Sequence, residues 1–127
     1  MIFLFIFILD KLIKLQLLST SHNYINNTGL VFGFKAEPFF IFLFSIIVIS
    51  ILFLLIKRFK QTEFETRLII LGCLMNFTDR LFWGGVIDYI NILNILVINL
   101  ADVIIMLGII KILLKIYISE KNKVINR

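Results

Sequence analysis

The sequence predicts an all-α membrane protein of four transmembrane helices with a short extracytoplasmic strand and loop region. Three observations predict it. Hydrophobic residues make up 61% of the 127, more than a soluble fold of this size hides, because small folds leave a large share of their residues exposed. Those residues gather in four stretches, each near the ~20 residues that a helix needs to cross the hydrocarbon core. The basic residues cluster in two places that a four-span topology puts on one side of the membrane.

The first stretch, 2–18, is interrupted by Asp10, Lys11 and Lys14. A cleaved leader begins with a basic region and ends at small residues; here the apolar run starts at Ile2 and the lysines follow it, so it reads as a retained span. The second, 39–56, has only Ser45 and Ser50 as polar members. The third, 68–83, carries Asn76, Asp79 and Arg80, and the fourth, 95–118, carries Asn99, Asp102, Lys111 and Lys115. Backbone groups in lipid must be satisfied within their own segment, which makes helix the expected form. Residues 1–127 then form a single integral membrane domain. Between the first two spans, Asn26, Asn27, Thr28 and Gly29 give a turn signal, and Leu30–Phe34 reads as a short strand.

Lys57, Arg58, Lys60 and Arg67 lie in the second connection, and Lys111, Lys115, Lys121, Lys123 and Arg127 at the C-terminal end, so nine of thirteen basic residues occupy two places. The positive-inside rule makes both cytoplasmic and, by parity, both termini as well. Residues 19–38 and 84–94 face outward. The formal charge of +5 is thereby taken up by topology, and no nucleic-acid partner is expected. One cysteine, Cys73, and one histidine, His22, leave no disulfide, no thiolate zinc cluster and no imidazole pair for a metal.

The carboxylates divide by type. Glu37, Glu63, Glu65 and Glu120 fall in polar connections or the tail, whereas Asp10, Asp79, Asp88 and Asp102 fall inside or at the edge of apolar stretches. A charge at the bilayer centre costs at least ~2.5–3.5 kcal/mol, so such residues pair, line a cavity or do chemistry. Asp10 and Lys14 have the i, i+4 spacing of an ion pair. Asp79 adjoins Arg80. Gly72, Asn76 and Arg80 recur at i, i+4, i+8, a stripe suited to close helix approach and bonding across it. Asp88, after Gly84 and Gly85, reads either as a turn or cap residue or as a functional acid. Asp102, three residues after Asn99 on one helix face, is harder to assign to structure alone.

Four blocks occur in an order that resembles the lipoprotein signal peptidases (signal peptidase II) along nearly the whole chain. They are Asp10-Lys-Leu-Ile-Lys14; Asn27-Thr-Gly29-Leu-Val-Phe-Gly33; Gly72-Cys-Leu-Met-Asn76-Phe-Thr-Asp79-Arg80 with Gly85-Val-Ile-Asp88-Tyr89; and Asn99-Leu-Ala-Asp102. The resemblance implies a membrane aspartyl endopeptidase of the bacterial inner membrane. It implies Asp88 and Asp102 as the catalytic pair, Asn27, Asn76, Arg80 and Asn99 as residues that shape the site, and Asp10, Lys14, Gly29, Gly72 and Asp79 as structural support. The implied substrate is a precursor whose cysteine bears a diacylglyceryl group, cut just before that cysteine. No cofactor or metal is implied, and the expected partners are this precursor and membrane lipid, met by a monomer. The outer segment before Asn27 is shorter than the family's, and Met75 stands where a glycine is usual.

Amide hydrolysis without a metal needs a base to activate water and an acid to protonate the departing nitrogen. Two neighbouring carboxylates that share a proton supply both. His-Glu-x-x-His, Gly-x-Ser-Gly and Gly-x-Gly-Asp are all absent. The alternative from another class is a proton- or ion-conducting subunit relaying through Asp10, Asp79 and Asp102; a third is a non-catalytic membrane partner.

Overall fold

The computed structural model describes residues 1–20, 24–29, 38–58 and 62–125. Helix α1 spans Ile2–Thr20, α2 Pro38–Arg58, α3 Glu63–Trp83 and α4 Leu100–Ile125. Four three-residue strands, β1 (Ile25–Asn27), β2 (Val86–Asp88), β3 (Ile90–Ile92) and β4 (Leu96–Ile98), make two antiparallel pairs, β1 with β2 and β3 with β4. The strand expected over 30–34 lies outside the described residues.

Helix α3 is the central element, packed on α4 most extensively and also on α2 and α1. Its contact with α4 runs through two glycines. A Cβ on Gly72 would lie 2.5 Å from Ile105 Cγ1 and 2.6 Å from the Ala101 carbonyl oxygen, and one on Gly108 would lie 2.6 Å from Ile69 Cγ1 and 2.9 Å from the Glu65 carbonyl oxygen. Removing both side chains lets the two backbones approach. Leu71, Met75, Ala101 and Ile104 form the buried cluster at this seam. Helix α3 stops where Gly84 turns left-handed at φ 70° and returns its N–H to the Arg80 carbonyl, the usual glycine ending.

The structure changes three expectations. Glu63 and Glu65 are not in a connection: α3 begins at Glu63, five residues before its apolar run, and acidic residues favour a helix's first turn. Glu65 is buried and bonded to Lys115 at 2.8 Å. The fourth helix starts at Leu100, not Ile95, because Leu96–Ile98 pair with Ile90–Ile92 across a turn. Its central residues, Leu93 and Asn94, have φ of 51° and 58°, as a type I′ hairpin turn requires. Asp88 is neither a turn nor a cap residue but the last residue of β2, opposite Ile25 of β1.

Among the described residues no helix is long and apolar enough to cross a membrane. Yet the six bulkiest fully buried side chains are Lys14, Met75, Ile87, Asn99, Asp10 and Asp79, while Phe5, Phe44, Leu54, Leu113 and Tyr117 are exposed. Four of those six bulkiest buried side chains are polar while many large apolar ones are exposed, a pattern unlike that of a water-soluble fold.

Gly108→Ala tests the seam without touching any group near Asp88. Because the Glu65 carbonyl belongs to a helix backbone and cannot turn aside, overpacking should cost about 1–3 kcal/mol. A melting curve in detergent should show a clear loss, and an unchanged Tm would mean the helices sit farther apart.

Candidate active site

The first turn of α4 fixes Asp102. Asn99 caps the helix: its Oδ1 accepts the Asp102 N–H at 3.1 Å, and Asp102 Oδ2 accepts the Asn99 N–H at 3.2 Å. This reciprocal capping box satisfies two N-terminal donors and holds the carboxylate at the positive end of the helix. The second oxygen of Asp102 accepts a hydrogen bond from Asn76 Nδ2 of α3 at 2.8 Å.

Asn99 also reaches the other way. Its Nδ2 donates to Asp88 Oδ1 at 2.6 Å. The remaining Asp88 oxygen accepts from Asn27 Nδ2 at 3.0 Å. Asn27 is held in turn, since its Oδ1 accepts the Gly29 N–H at 3.1 Å in an Asx turn. Arg80 closes the circle by donating to the Gly29 carbonyl at 3.3 Å and to the Asn76 carbonyl at 3.2 Å. Asn27, Asp88, Asn99, Asp102, Asn76, Arg80 and Gly29 thus form one continuous ring of hydrogen bonds drawn from β1 and its turn, β2, α3 and α4. Close packing keeps β1 in place: a Cβ on Gly85 would strike the Asn26 side chain and sit 3.1 Å from the Asn27 carbonyl.

Asp88 is 3% exposed. Burial pushes its carboxyl above the ordinary carboxylate value, against the downward pull of the Asn99 and Asn27 hydrogen bonds. Burial likewise pushes the neighbouring Tyr89 phenol up to about 12. A cleft of about 380 Å³ opens onto Asp88, lined by the polar Asn26, Asn27 and Thr28 and the apolar Ile25, Ile95 and Leu96.

Asp10, Lys14 and Asp79 lie apart from this ring. Lys14 Nζ sits 2.8 Å from Asp10 and 2.6 Å from Asp79, and all three side chains are fully buried. Asp79 therefore answers to α1 and not to its neighbour Arg80. The sequence reading missed Lys11, which is ion-paired to the same Asp79; counting charges was the available signal, because one lysine cannot neutralise two aspartates. Gly85, part of the third block, was given no role. Among the described residues no group of three or more His, Cys, Asp or Glu could hold a metal ion.

Residues 2–118 match the family model described as signal peptidase (SPase) II. A lipoprotein signal peptidase of Halothermothrix orenii is 35% identical over 103 residues, covering 77% of this chain and 70% of that one. One from Thermodesulfovibrio yellowstonii is 40% identical over 96 residues, covering 68% and 63%, so the match takes in less than two thirds of that relative. Among solved structures, a bacterial membrane enzyme determined by the in meso method at 2.3 Å resolution superposes with a TM-score of 0.83 at 25% identity, covering 96% of this chain and 88% of that one.

The raised Asp88 carboxyl has a consequence for stability. A buried acid whose folded value lies above its unfolded value costs nothing below the unfolded value and its full penalty above the folded one. The stability of the wild type relative to Asp88→Asn should therefore fall as pH rises above the ordinary carboxylate value of about 4. Tm measured for both proteins across pH checks it; a difference independent of pH would mean that Asp88 titrates as an ordinary carboxyl.

Proposed function

Because the chain belongs to the signal peptidase II family, the lipoprotein signal peptidases, we propose that it removes signal peptides from lipoprotein precursors with Asp88 and Asp102 as an acid–base pair. The observation that carries this reading is the single amide of Asn99, which binds the Asp88 carboxyl through Nδ2 while its Oδ1 caps the turn that bears Asp102. Both carboxyls are tied to Asn99 and the charge of Asp102 disfavours ionisation of Asp88, so one member of the pair keeps a proton. The ionised member takes a proton from water as the oxygen attacks the scissile carbonyl. The protonated member gives its proton to the departing amide nitrogen, and the roles reset. Asn27, Asn76 and Asn99 keep both carboxyls in orientation throughout. The substrate is a precursor with a diacylglyceryl-cysteine, cut before that residue. Its acyl chains stay in lipid while the peptide lies in the cleft beside Asp88. One copy carries every group in the ring, so a monomer suffices.

This is a bacterial membrane protein, and all four helices are read here as spans of the inner membrane. Helices of 19 to 26 residues are about 28–39 Å long, against a hydrocarbon core of ~30 Å. In α1 and α3, Asp10, Lys11, Lys14 and Asp79 meet one another inside the bundle, so they do not face lipid. In α2 the hydroxyls of Ser45 and Ser50 return to the carbonyls of Ile41 and Ile46, both at 2.8 Å, as lipid demands. The conducting-subunit reading finds no support. Its proposed relays Asp10 and Asp79 are bound to lysines, and the similar proteins are peptidases.

Topology is tested by single cysteines in a Cys73→Ala background. Asn122→Cys should react with an impermeant reagent only from the cytoplasm and Asn94→Cys only from outside. Labelling of both from one side excludes four spans.

Chemistry is tested by Asp88→Asn and Asp102→Asn. Asparagine keeps the shape but cannot exchange a proton, so each should reduce release of the signal peptide from a lipid-modified precursor by at least about 10³-fold in folded, inserted protein. The double variant should be no worse than either single one, because residues of one catalytic unit are not additive. Substantial cleavage by either single variant removes the aspartyl mechanism.

A further inference from the structure

Lys11 lies inside the first block, Asp10-Lys-Leu-Ile-Lys14, at a position to which the family resemblance assigns no role, yet its ammonium meets several groups on α1 and α3. It is ion-paired to Asp79 and lies 3.5 Å from Asp10 Oδ2. It donates to the Met75 carbonyl at 2.8 Å and stands 5.3 Å and 5.4 Å from the ring centroids of Phe7 and Trp83. Three of these partners, Met75, Asp79 and Trp83, follow one another at i, i+4, i+8 along α3. One residue further on, Asn76 and Arg80 form the parallel stripe that reaches into the ring around Asp88 and Asp102. A helix is stiff in rotation, so whatever grips the first stripe sets where the second one points.

Lys11 also completes a charge count. Asp10 and Asp79 are fully buried with Lys14 alone as a fully buried cation, and Lys11, at 17% exposure, supplies the fourth charge. The four together are neutral. Without Lys11 a net negative charge would remain in a low-dielectric interior, where its field is little screened. That field reaches the ring around Asp88, because Lys14 acts electrostatically on Asp88 and both Asp10 and Asp79 act on Tyr89.

We propose that Lys11 is a positioning residue for the peptidase site: it fixes the rotation of α3, and hence Asn76 and Arg80, and keeps the charge cluster beneath Asp88 and Asp102 neutral. The charged and titratable groups facing that pair are Lys14 through α1, Cys73 and Arg80 from α3, Tyr89 beside β2, and the two aspartates themselves. This inference rests on the reading of Asp88 and Asp102 as the reacting pair.

The test compares Lys11→Met, Lys11→Arg, Lys11→Met with Asp79→Asn, and Asp88→Asn in one precursor-cleavage assay across pH, each with a melting curve. Lys11→Met should lower kcat about tenfold with KM changed less than about twofold, since positioning is lost while the cleft is intact. The uncompensated negative charge holds protons on the pair, so the bell of activity should move to higher pH by about half a unit or more. Lys11→Arg keeps the charge and should leave the bell in place. The double variant restores neutrality and should bring the bell back even though kcat stays low; it also decides the matter if Lys11→Met alone does not fold. A lower Tm with wild-type kcat and an unmoved bell makes Lys11 a purely structural residue and overturns the inference. If Asp88→Asn still cleaves, the failure belongs to the aspartyl reading instead.

Discussion

A charged or polar side chain withdrawn from water has to be given a partner, and nearly every feature of this fold answers to that need. The most deeply buried groups are carboxylates, ammoniums and amides. Left single, each would cost several kcal/mol. Their partners come from different helices, so satisfying them joins α1, α3 and α4 more specifically than apolar packing does. Helix-to-helix packing in lipid gains little from the hydrophobic effect, which leaves hydrogen bonds, ion pairs and close backbone approach at Gly72 and Gly108 to set the arrangement.

Helix α3 carries most of that burden because two of its adjacent stripes are committed. Met75, Asp79 and Trp83 look toward α1, while Gly72, Asn76 and Arg80 look toward α4 and the turn after β1. One element therefore ties a charged clamp to a site of different chemistry. The short strands complete the upper half. Pairing of β1 with β2 brings Asn27 to Asp88, and the β3–β4 hairpin returns the chain to Asn99 in time to start α4. The hairpin turn places Leu93, a residue that gains nothing from a positive φ, in the left-handed region, at a cost of about 1–2 kcal/mol. The Asn91–Asn94 hydrogen bonds at 2.8 Å and 2.9 Å offset part of it.

Much of this was legible in the residue order. Apolar stretches located all four helices, because in a chain this hydrophobic the long runs admit few other forms. The i, i+4 spacing of Asp10 and Lys14 anticipated their contact, and the stripe Gly72, Asn76, Arg80 anticipated a close helix seam with an amide bonding across it. What was hidden depends on pairing over distance. Nothing in Ile90–Ile98 distinguishes a hairpin from the start of a helix, since its isoleucines and leucines suit both, and only the partner strand decides. The helical position of Glu65 was obscured because its partner, Lys115, lies fifty residues away. Lys11 escaped for the same reason, its contacts on α3 being more than sixty residues distant.

The four aspartates share one side chain and divide into two roles by the nature of their partners. Asp10 and Asp79 are met by ammonium groups. Such a partner loses most of its hold when the carboxyl takes up a proton, so the pairing resists proton exchange and makes a good clamp. Asp88 and Asp102 are met by amides: Asn27 and Asn99 on one, Asn76 and the Asn99 backbone on the other. An amide N–H donates to a carboxylate and to the carbonyl oxygen of a carboxylic acid alike, so it fixes orientation while leaving the protonation state free to change. Among the described residues the one cation in the ring, Arg80, donates to the carbonyls of Gly29 and Asn76 and to neither acid. On the proposed reading of Asp88 and Asp102 as an acid–base pair, that separation of duties suits the site, with charge used to hold the helices and neutral dipoles used to aim the acids.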